Sequence, residues 1–241
     1  MIKYRMKNSI DIKKINELFD AEVHLGHKKN RVHPNAKKFI YKIESGVSII
    51  DLTMTLNQIN KVKEYLTKSA KENKTILVVA TKKAASQTIS SFCSKLELPY
   101  ITIKWPPGLL TNFDTIIKNV EKLKELKKTK ESGEWDKLPK HERVFQNKNI
   151  KKLEKFYGGI INLEKKPDIL IVFDIKKEEN AINEAEKTGV SIIGIIDTNS
   201  DPEKVDYPII ANDDSPRAIE FLIKEIFDGV KIKKRAHDRL Y

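Results

Sequence analysis

The feature of this sequence that most restricts its fold is a regular alternation of short apolar runs with amphipathic segments. Near-continuous apolar runs at residues 75–80, 169–173 and 190–196 are typical of strands covered on both faces of a parallel sheet. Apolar residues recur at helical spacing between these runs. The alternation predicts a three-layer α/β fold with a mostly parallel sheet, although periodicity does not give the order of the strands.

A lysine-rich segment interrupts the alternation at residues 112–157. Two stretches with thin apolar stripes flank a short break at residues 131–134, which predicts an inserted antiparallel helical hairpin. We therefore divide the chain into an α/β body, a hairpin and a tail. The body comprises residues 1–111 and 158–230, with an N-terminal basic helix and loop at 1–42; the hairpin comprises 112–157, and the short basic tail comprises 231–241.

The positive charge is concentrated in a few segments. The chain has 46 Lys and Arg against 34 Asp and Glu, a net charge of +12. Residues 1–42 carry +7, residues 116–155 carry +6 and residues 228–241 carry +3, so the rest of the chain carries −4. This distribution favours binding to a polyanion through appendages on a mildly acidic body.

Several classes of protein are excluded or disfavoured by what the sequence lacks. No run of 18 apolar residues is present, so we expect no membrane span. The single cysteine, Cys93, rules out an internal disulfide framework, and its place on an apolar stripe predicts a buried side chain. Neither a glycine-rich dinucleotide fingerprint, a P-loop nor a nucleophile elbow occurs. These absences give catalysis little support. The single cysteine and the lack of a secretory signal in the first residues predict a protein of a reducing interior compartment such as the cytoplasm.

Histidines near the N-terminus allow two interpretations. His24 and His27 are three residues apart, a spacing that suits a metal on one helix face. The cations among and after them oppose a divalent ion: Lys28, Lys29 and Arg31. We favour a basic loop that lies against phosphate, while a loop whose histidines bond to neighbouring backbone remains open.

Carboxylates follow the ends of several predicted strands, where open α/β sheets bind ligands. The candidates for an ion site are Asp174, Asp197, Asp201 and Asp213. Such residues more often cap helices and close turns, so we predict no resident metal or cofactor, beyond a structural Mg²⁺ held together with RNA as an open possibility. Lys82 and Lys83 place positive charge at the same edge.

Short motifs throughout the chain carry a resemblance. In collinear order from about residue 9 to residue 230, they are Val23-His24-Leu25-Gly26-His27, Ile49-Ile50-Asp51-Leu52, Ala80-Thr81-Lys82-Lys83-Ala84-Ala85, Leu110-Thr111-Asn112-Phe113, Gly133-Glu134-Trp135-Asp136-Lys137-Leu138, Gly158-Gly159-Ile160, Ile196-Asp197-Thr198-Asn199-Ser200-Asp201-Pro202 and Asn212-Asp213-Asp214. With these motifs the chain resembles the bacterial-type small-subunit ribosomal protein S2 family. The resemblance implies a flavodoxin-like body, binding to small-subunit rRNA, contacts with neighbouring ribosomal proteins including the mRNA-binding protein S-one, and no small-molecule substrate.

We accordingly predict that basic segments bind rRNA phosphates without reading base sequence. The predicted rRNA-binding residues are His24, His27, Lys28, Lys29, Arg31, Lys37, Lys38, Lys82, Lys83, Lys104, Trp105, Thr111, Asn112, Lys118, Lys122, Lys151 and Lys152. Two alternatives stay open: a flavodoxin-like enzyme using Lys82, Asp174 and Asp197, and an RNA-binding regulator outside the ribosome. A bacterial and an organellar ribosome both fit the sequence.

Overall fold

The computed structural model describes residues 12–231, which form seven α-helices and eight strands in two sheets. The helices are α1 (Ile12–Asp20), α2 (Leu52–Lys71), α3 (Lys83–Lys95), α4 (Phe113–Glu131), α5 (Lys140–Tyr157), α6 (Glu179–Thr188) and α7 (Pro216–Phe227). The strands are β1 (Leu25–Lys28), β2 (Ile40–Glu44), β3 (Val47–Ile50), β4 (Ile76–Val79), β5 (Tyr100–Ile101), β6 (Ile169–Phe173), β7 (Ser191–Ile196) and β8 (Tyr207–Ile210). Residues 1–11 of the basic N-terminal segment, and all of the predicted tail after residue 231, lie outside the described residues.

The main sheet has five parallel strands in the order β5-β4-β6-β7-β8. The first of these strands along the chain is β4. The second, β5, lies on one side of it, and β6, β7 and β8 lie on the other side. This is the flavodoxin-like arrangement, and it confirms the predicted α/β fold. The direction of winding changes between β4 and β6, so the topological switch point lies at their carboxyl ends.

Alternate residues of each central strand face opposite layers, which explains the uninterrupted apolar runs. In β6, Ile169, Ile171 and Phe173 join a core completed by α1, α2, α3 and α7. Leu170 and Val172 join a second core completed by α6 and the start of the hairpin. Cys93 is fully buried in the first core, as predicted, and burial raises the pKa of its thiol to about 12.

A second, antiparallel sheet has the order β1-β3-β2. The segment that we predicted to be a basic loop contains β1, in which Leu25 pairs with Ile49 and Lys28 with Val47. The sequence of β1 includes a glycine and a histidine and shows no alternation. Its extended form depends on hydrogen bonds to β3, a tertiary effect that local sequence does not report.

The inserted hairpin consists of α4 and α5, joined by a turn that contains a 3₁₀ helix at Glu134–Lys137. Leu123, Trp135 and Ile150 form a small core between the two helices. Lys127 Nζ lies 2.6 Å from Glu154 Oε1 across the hairpin. Among the described residues, no helix is both long and apolar enough to cross a membrane.

Candidate nucleic-acid interface

The carboxyl edge of the main sheet brings together side chains that are far apart in the sequence. Lys82 follows β4, Asp174 follows β6, Asp197 follows β7 and Asp213 follows β8. Parallel strands end on the same edge, so these four residues meet near the switch point. The geometry there decides whether this edge is a ligand site or part of the protein's own framework.

Lys82 is the centre of an internal ion network. Its Nζ lies 2.6 Å from Asp213 Oδ1, 2.5 Å from Asp214 Oδ1 and 3.3 Å from Asp174 Oδ2. Burial alone would lower the pKa of Lys82, but these carboxylates reverse the effect and the pKa is raised. Burial next to Asp174 and Asp197 raises the pKa of Asp213 to about 7, since Lys82 offsets only part of the cost. The ammonium group of Lys82 is thus neutralised within the chain.

The loop after β4 is also closed by the protein itself. Glu178 is 3% exposed, and its Oε1 accepts hydrogen bonds from the backbone N–H of Thr81, at 3.0 Å, and from Thr81 Oγ1. Burial raises the pKa of Glu178. A carboxylate of the chain itself therefore holds Thr81, two residues before the start of α3.

His27 joins β1 to the same edge. Its Nδ1 lies 2.8 Å from Asp197 Oδ2, and its Nε2 lies 3.1 Å from Asn199 Nδ2. The hydrogen bond with Asp197 raises the pKa of His27 in spite of partial burial. The backbone N–H of His27 donates to Thr198 Oγ1 at 2.9 Å. A Cβ on Gly26 would lie only 2.7 Å from Thr198 Cγ2, so glycine allows this close approach.

Further hydrogen bonds attach the residues just before β1 to the carboxyl edge of the main sheet. Asn212 N–H donates to Val23 O at 3.1 Å, and Asn212 Nδ2 donates to Glu22 O at 2.9 Å. Ser215 Oγ donates to Glu22 Oε2 at 2.7 Å. The N-terminal segment therefore covers the crevice in which open α/β folds place ligands.

The carboxylates considered as metal ligands are engaged by the protein. Asp174 and Asp213 contact Lys82, and Asp201 Oδ1 accepts a 3.0 Å hydrogen bond from Asn35 Nδ2. Within the described residues, ligand atoms of His27, Asp197 and Asp214 lie within 4.8 Å of one another. An ion placed among them would have to separate His27 Nδ1 from Asp197 Oδ2, which are hydrogen-bonded to each other.

The remaining predicted cations lie on the surface. The exposed members are Lys28, Lys29, Arg31, Lys37, Lys38, Lys83, Lys104, Lys118, Lys122, Lys151 and Lys152. Lys38 Nζ lies 3.6 Å from Glu203 Oε1, but both side chains are more than half exposed, so this pair restrains Lys38 little. These exposed cations fall on the N-terminal segment, the start of α3, the corner before the hairpin, and the hairpin itself.

The predicted residues at the corner before the hairpin have different surroundings. Trp105 is 5% exposed and packs in the second core, whereas Thr111 and Asn112 are exposed. His24 is partly buried and stacks on Phe19, with ring centroids 4.1 Å apart, and burial lowers its pKa. Four of the predicted rRNA-binding residues thus differ from the exposed cations, because their side chains are buried or partly buried: His24, His27, Lys82 and Trp105.

Glu184 on α6 is the residue that sequence reasoning missed at this corner. Its carboxylate accepts hydrogen bonds from Trp105 Nε1 at 2.9 Å, Gly108 N–H at 2.8 Å and Leu110 N–H at 3.0 Å, and from the N–H and Oγ1 of Thr111 at 3.3 Å. Burial alone would raise the pKa of Glu184, but these donors lower it. Pro106 and Pro107 predict a rigid corner, but no sequence spacing connects that corner with a glutamate on α6.

The chain was compared with known proteins. The family model described as Ribosomal protein S2 matches residues 18–232. A protein of Coprothermobacter proteolyticus named Small ribosomal subunit protein uS2 is 41% identical over 216 residues, which are 90% of this chain and 81% of the relative. Proteins of the same name from Dictyoglomus thermophilum and Wolinella succinogenes are 40% and 37% identical over 90% of this chain, covering 88% and 80% of their own lengths.

Proposed function

The chain belongs to the ribosomal protein S2 family, and from that premise we propose that exposed cations on its N-terminal segment and hairpin bind small-subunit rRNA. Family membership supports a structural role in the small ribosomal subunit. The proposal adds the means of attachment, which is neutralisation of rRNA phosphates. The exposure of nine predicted cations on the N-terminal segment and the hairpin, which are appendages to a less basic body, is the observation that carries it.

The described cations fall into two roles in this proposal. Exposed residues such as Lys29, Lys122 and Lys152 are free to approach phosphate. Lys82 instead stabilises the carboxyl edge of the sheet, because its ammonium group already contacts three carboxylates. His27 and Trp105 fix the positions of the N-terminal segment and of the hairpin. Phosphate contacts made in this way need no resident metal or cofactor.

The protein is not an enzyme, since its relatives are structural ribosomal proteins. Its geometry agrees with that role. In a flavodoxin-like enzyme the polar side chains of the carboxyl edge would be available to a substrate, whereas here Lys82, His27 and Glu178 are engaged by interactions inside the chain. The carboxyl edge of the sheet thus binds the N-terminal segment to the body.

The proposed partners are small-subunit rRNA and neighbouring ribosomal proteins, including the mRNA-binding protein S-one where it is present. The proposed location is a ribosome of the bacterial type, in the cytoplasm. The hairpin gives the protein reach, because α4 has 19 residues and about 1.5 Å of rise per residue makes it roughly 30 Å long.

Sedimentation of the native protein tests the assignment, since a structural component should travel with small subunits after a moderate salt wash. The hairpin is tested by the fourfold variant with Lys118, Lys122, Lys151 and Lys152 changed to Glu. We expect lower occupancy in purified small subunits and a weaker dependence of binding on salt, because fewer counterions are released.

A matched control reverses the same number of exposed lysines on the body: Lys61, Lys68, Lys71 and Lys95. It should bind close to wild type if the hairpin is the contact surface. Equal occupancy of wild type and the hairpin variant at moderate salt would contradict the proposal. Binding of rRNA without sedimentation with ribosomes would favour a regulator outside the ribosome.

A further inference from the structure

The outward face of α5 carries an aromatic side chain that the hairpin core does not use. Phe145 is 62% exposed, and the adjacent Val144 is 47% exposed. The inward face of α5 is marked by Ile150, which is 6% exposed and packs with Leu123 and Trp135. Phe145 precedes Ile150 by five residues, which places it about 140° around the helix axis. Packing between α4 and α5 therefore does not account for a phenylalanine at this position.

The neighbours of Phe145 on this face are basic. His141, Phe145, Lys148 and Lys152 are spaced by four, three and four residues, so they form a single stripe along the solvent side of α5. All four are exposed. The stripe from Phe145 to Lys152 is about 10 Å long, which is long enough for one aromatic ring and two cations to meet neighbouring nucleotides.

Carboxylates are few on this face of α5. α5 contains two, Glu142 and Glu154. Glu154 lies on the side facing α4, where its Oε1 is 2.6 Å from Lys127 Nζ. Glu142 lies in the first turn, where a negative charge favours the helix dipole; it is three residues before Phe145 and is the one carboxylate of α5 beside the stripe. Phe145 therefore exposes a flat apolar ring on the same face of α5 as Lys148 and Lys152.

We propose that Phe145 is a stacking platform for an unpaired base of small-subunit rRNA, with Lys148 and Lys152 contacting the flanking phosphates. The inference rests on the proposed function of the hairpin, and it specifies unpaired rRNA as the form of RNA that the hairpin binds. Bases in loops and bulges stack on exposed aromatic rings between cations, whereas bases inside a duplex do not reach them. An apolar docking site for another protein would not need this basic surround.

The test measures binding of the full chain to small subunits from which the endogenous protein has been washed, across a range of KCl concentrations. The variants are Phe145→Ala, Phe145→Leu and Phe145→Trp, with Val144→Ala as the matched control. We expect Ala and Leu at position 145 to weaken binding by roughly tenfold with an unchanged salt slope. Phe145→Trp should bind like wild type, and Lys148→Ala should reduce the salt slope by about one.

The outcomes separate this inference from the proposed function. Normal binding by Phe145→Ala, together with the loss caused by the hairpin charge reversals, would overturn stacking and leave the proposed function intact. Wild-type binding by Phe145→Leu with loss only in Phe145→Ala would indicate apolar docking to a protein, and would also overturn stacking. Failure of the wild-type chain to bind small subunits would remove the proposed function itself. Thermal unfolding should match wild type in every variant, because position 145 is exposed.

Discussion

Trp105 Nε1 donates a 2.9 Å hydrogen bond to Glu184 Oε1, which joins the corner before the hairpin to α6. The same carboxylate accepts from the backbone N–H groups of Gly108, Leu110 and Thr111. One side chain thus satisfies donors from four residues of a segment in which two prolines rule out regular structure. The carboxylate of Glu184 therefore connects the corner at the base of the hairpin to the body.

Glu184→Gln should destabilise the attachment of the hairpin. Glutamine keeps the shape but has a single acceptor oxygen and no charge, so some donors of the corner lose their partner at a cost of about 2 kcal/mol. Urea unfolding gives the change in stability, and hydrogen exchange at Gly108, Leu110 and Thr111 locates it. Glu186→Gln, at an exposed position on the same helix, is the control. Equal exchange rates in both variants would show that Glu184 is not the anchor.

Lys82→Met should cost about 3 kcal/mol at a pH well above 7, where Asp213 is ionised. The Asp213 side chain is 3% exposed and would lose the cation at 2.6 Å, leaving buried negative charge uncompensated. Lys83→Met is the matched control, since Lys83 is the next residue and is exposed. Without Lys82 the pKa of Asp213 should rise above the value of about 7 that it has beside the lysine, so the difference between the two variants should shrink as the pH falls towards 7 and Asp213 of the Lys82→Met variant takes up a proton. A Lys82→Met variant as stable as Lys83→Met would mean that the network contributes nothing.

The stability of the protein should fall as the pH rises above about 6.5. The pKa of His27 is raised in the folded protein above its ordinary value of 6.5, so the folded state binds the proton more tightly than the unfolded chain. That contribution is complete below pH 6.5 and is lost as the pH rises through the folded pKa.

Urea midpoints between pH 5.5 and 8.5, in buffer with a chelator, measure this effect against His27→Gln. The wild type should lose stability relative to the variant above pH 6.5. The raised pKa of Asp213 acts with the same sign over a lower range, from its usual value of 3.8 to about 7, and is present in both proteins. Parallel curves for the two proteins would contradict the role of His27.

Gly26→Ala should lift β1 from the carboxyl edge. Its Cβ would lie 2.7 Å from Thr198 Cγ2 and 3.1 Å from Ser48 O, and Thr198 and Ser48 are fully buried. Overpacking of this kind costs about 1–3 kcal/mol. Thr198→Ser removes the nearer methyl group and keeps the hydroxyl that accepts from His27 N–H, so the double variant should regain part of the loss. Additive effects of the two changes in urea unfolding would argue against the contact.

The α/β fold was predictable because its signal is local. A strand such as β6, buried on both faces, must be apolar at every position, and that run is visible in the sequence. The strand β1 was missed because its extended form comes from pairing with β3. The surface position of the hairpin lysines followed from their spacing between apolar residues.

The carboxyl edge was predictable only in part. Strand ends placed Lys82, Asp174, Asp197 and Asp213 at one edge, but only the strand order shows that Lys82 meets Asp213, 131 residues away, instead of solvent. Glu184 was hidden for a similar reason. A glutamate on an amphipathic helix has no pattern that distinguishes an acceptor for a distant corner from a solvated side chain.

The hairpin leaves the body beside Glu184 and returns to it at Gly159, where a Cβ would lie 2.3 Å from Tyr100 O of the edge strand β5. A helical hairpin attached to the body at one chain end could change its orientation, whereas attachment at both chain ends restrains that orientation. The lysines along the hairpin therefore have a fixed orientation relative to the body. In the proposed binding to rRNA, little orientational freedom would be lost on assembly, so more of the attraction to phosphate would appear as affinity.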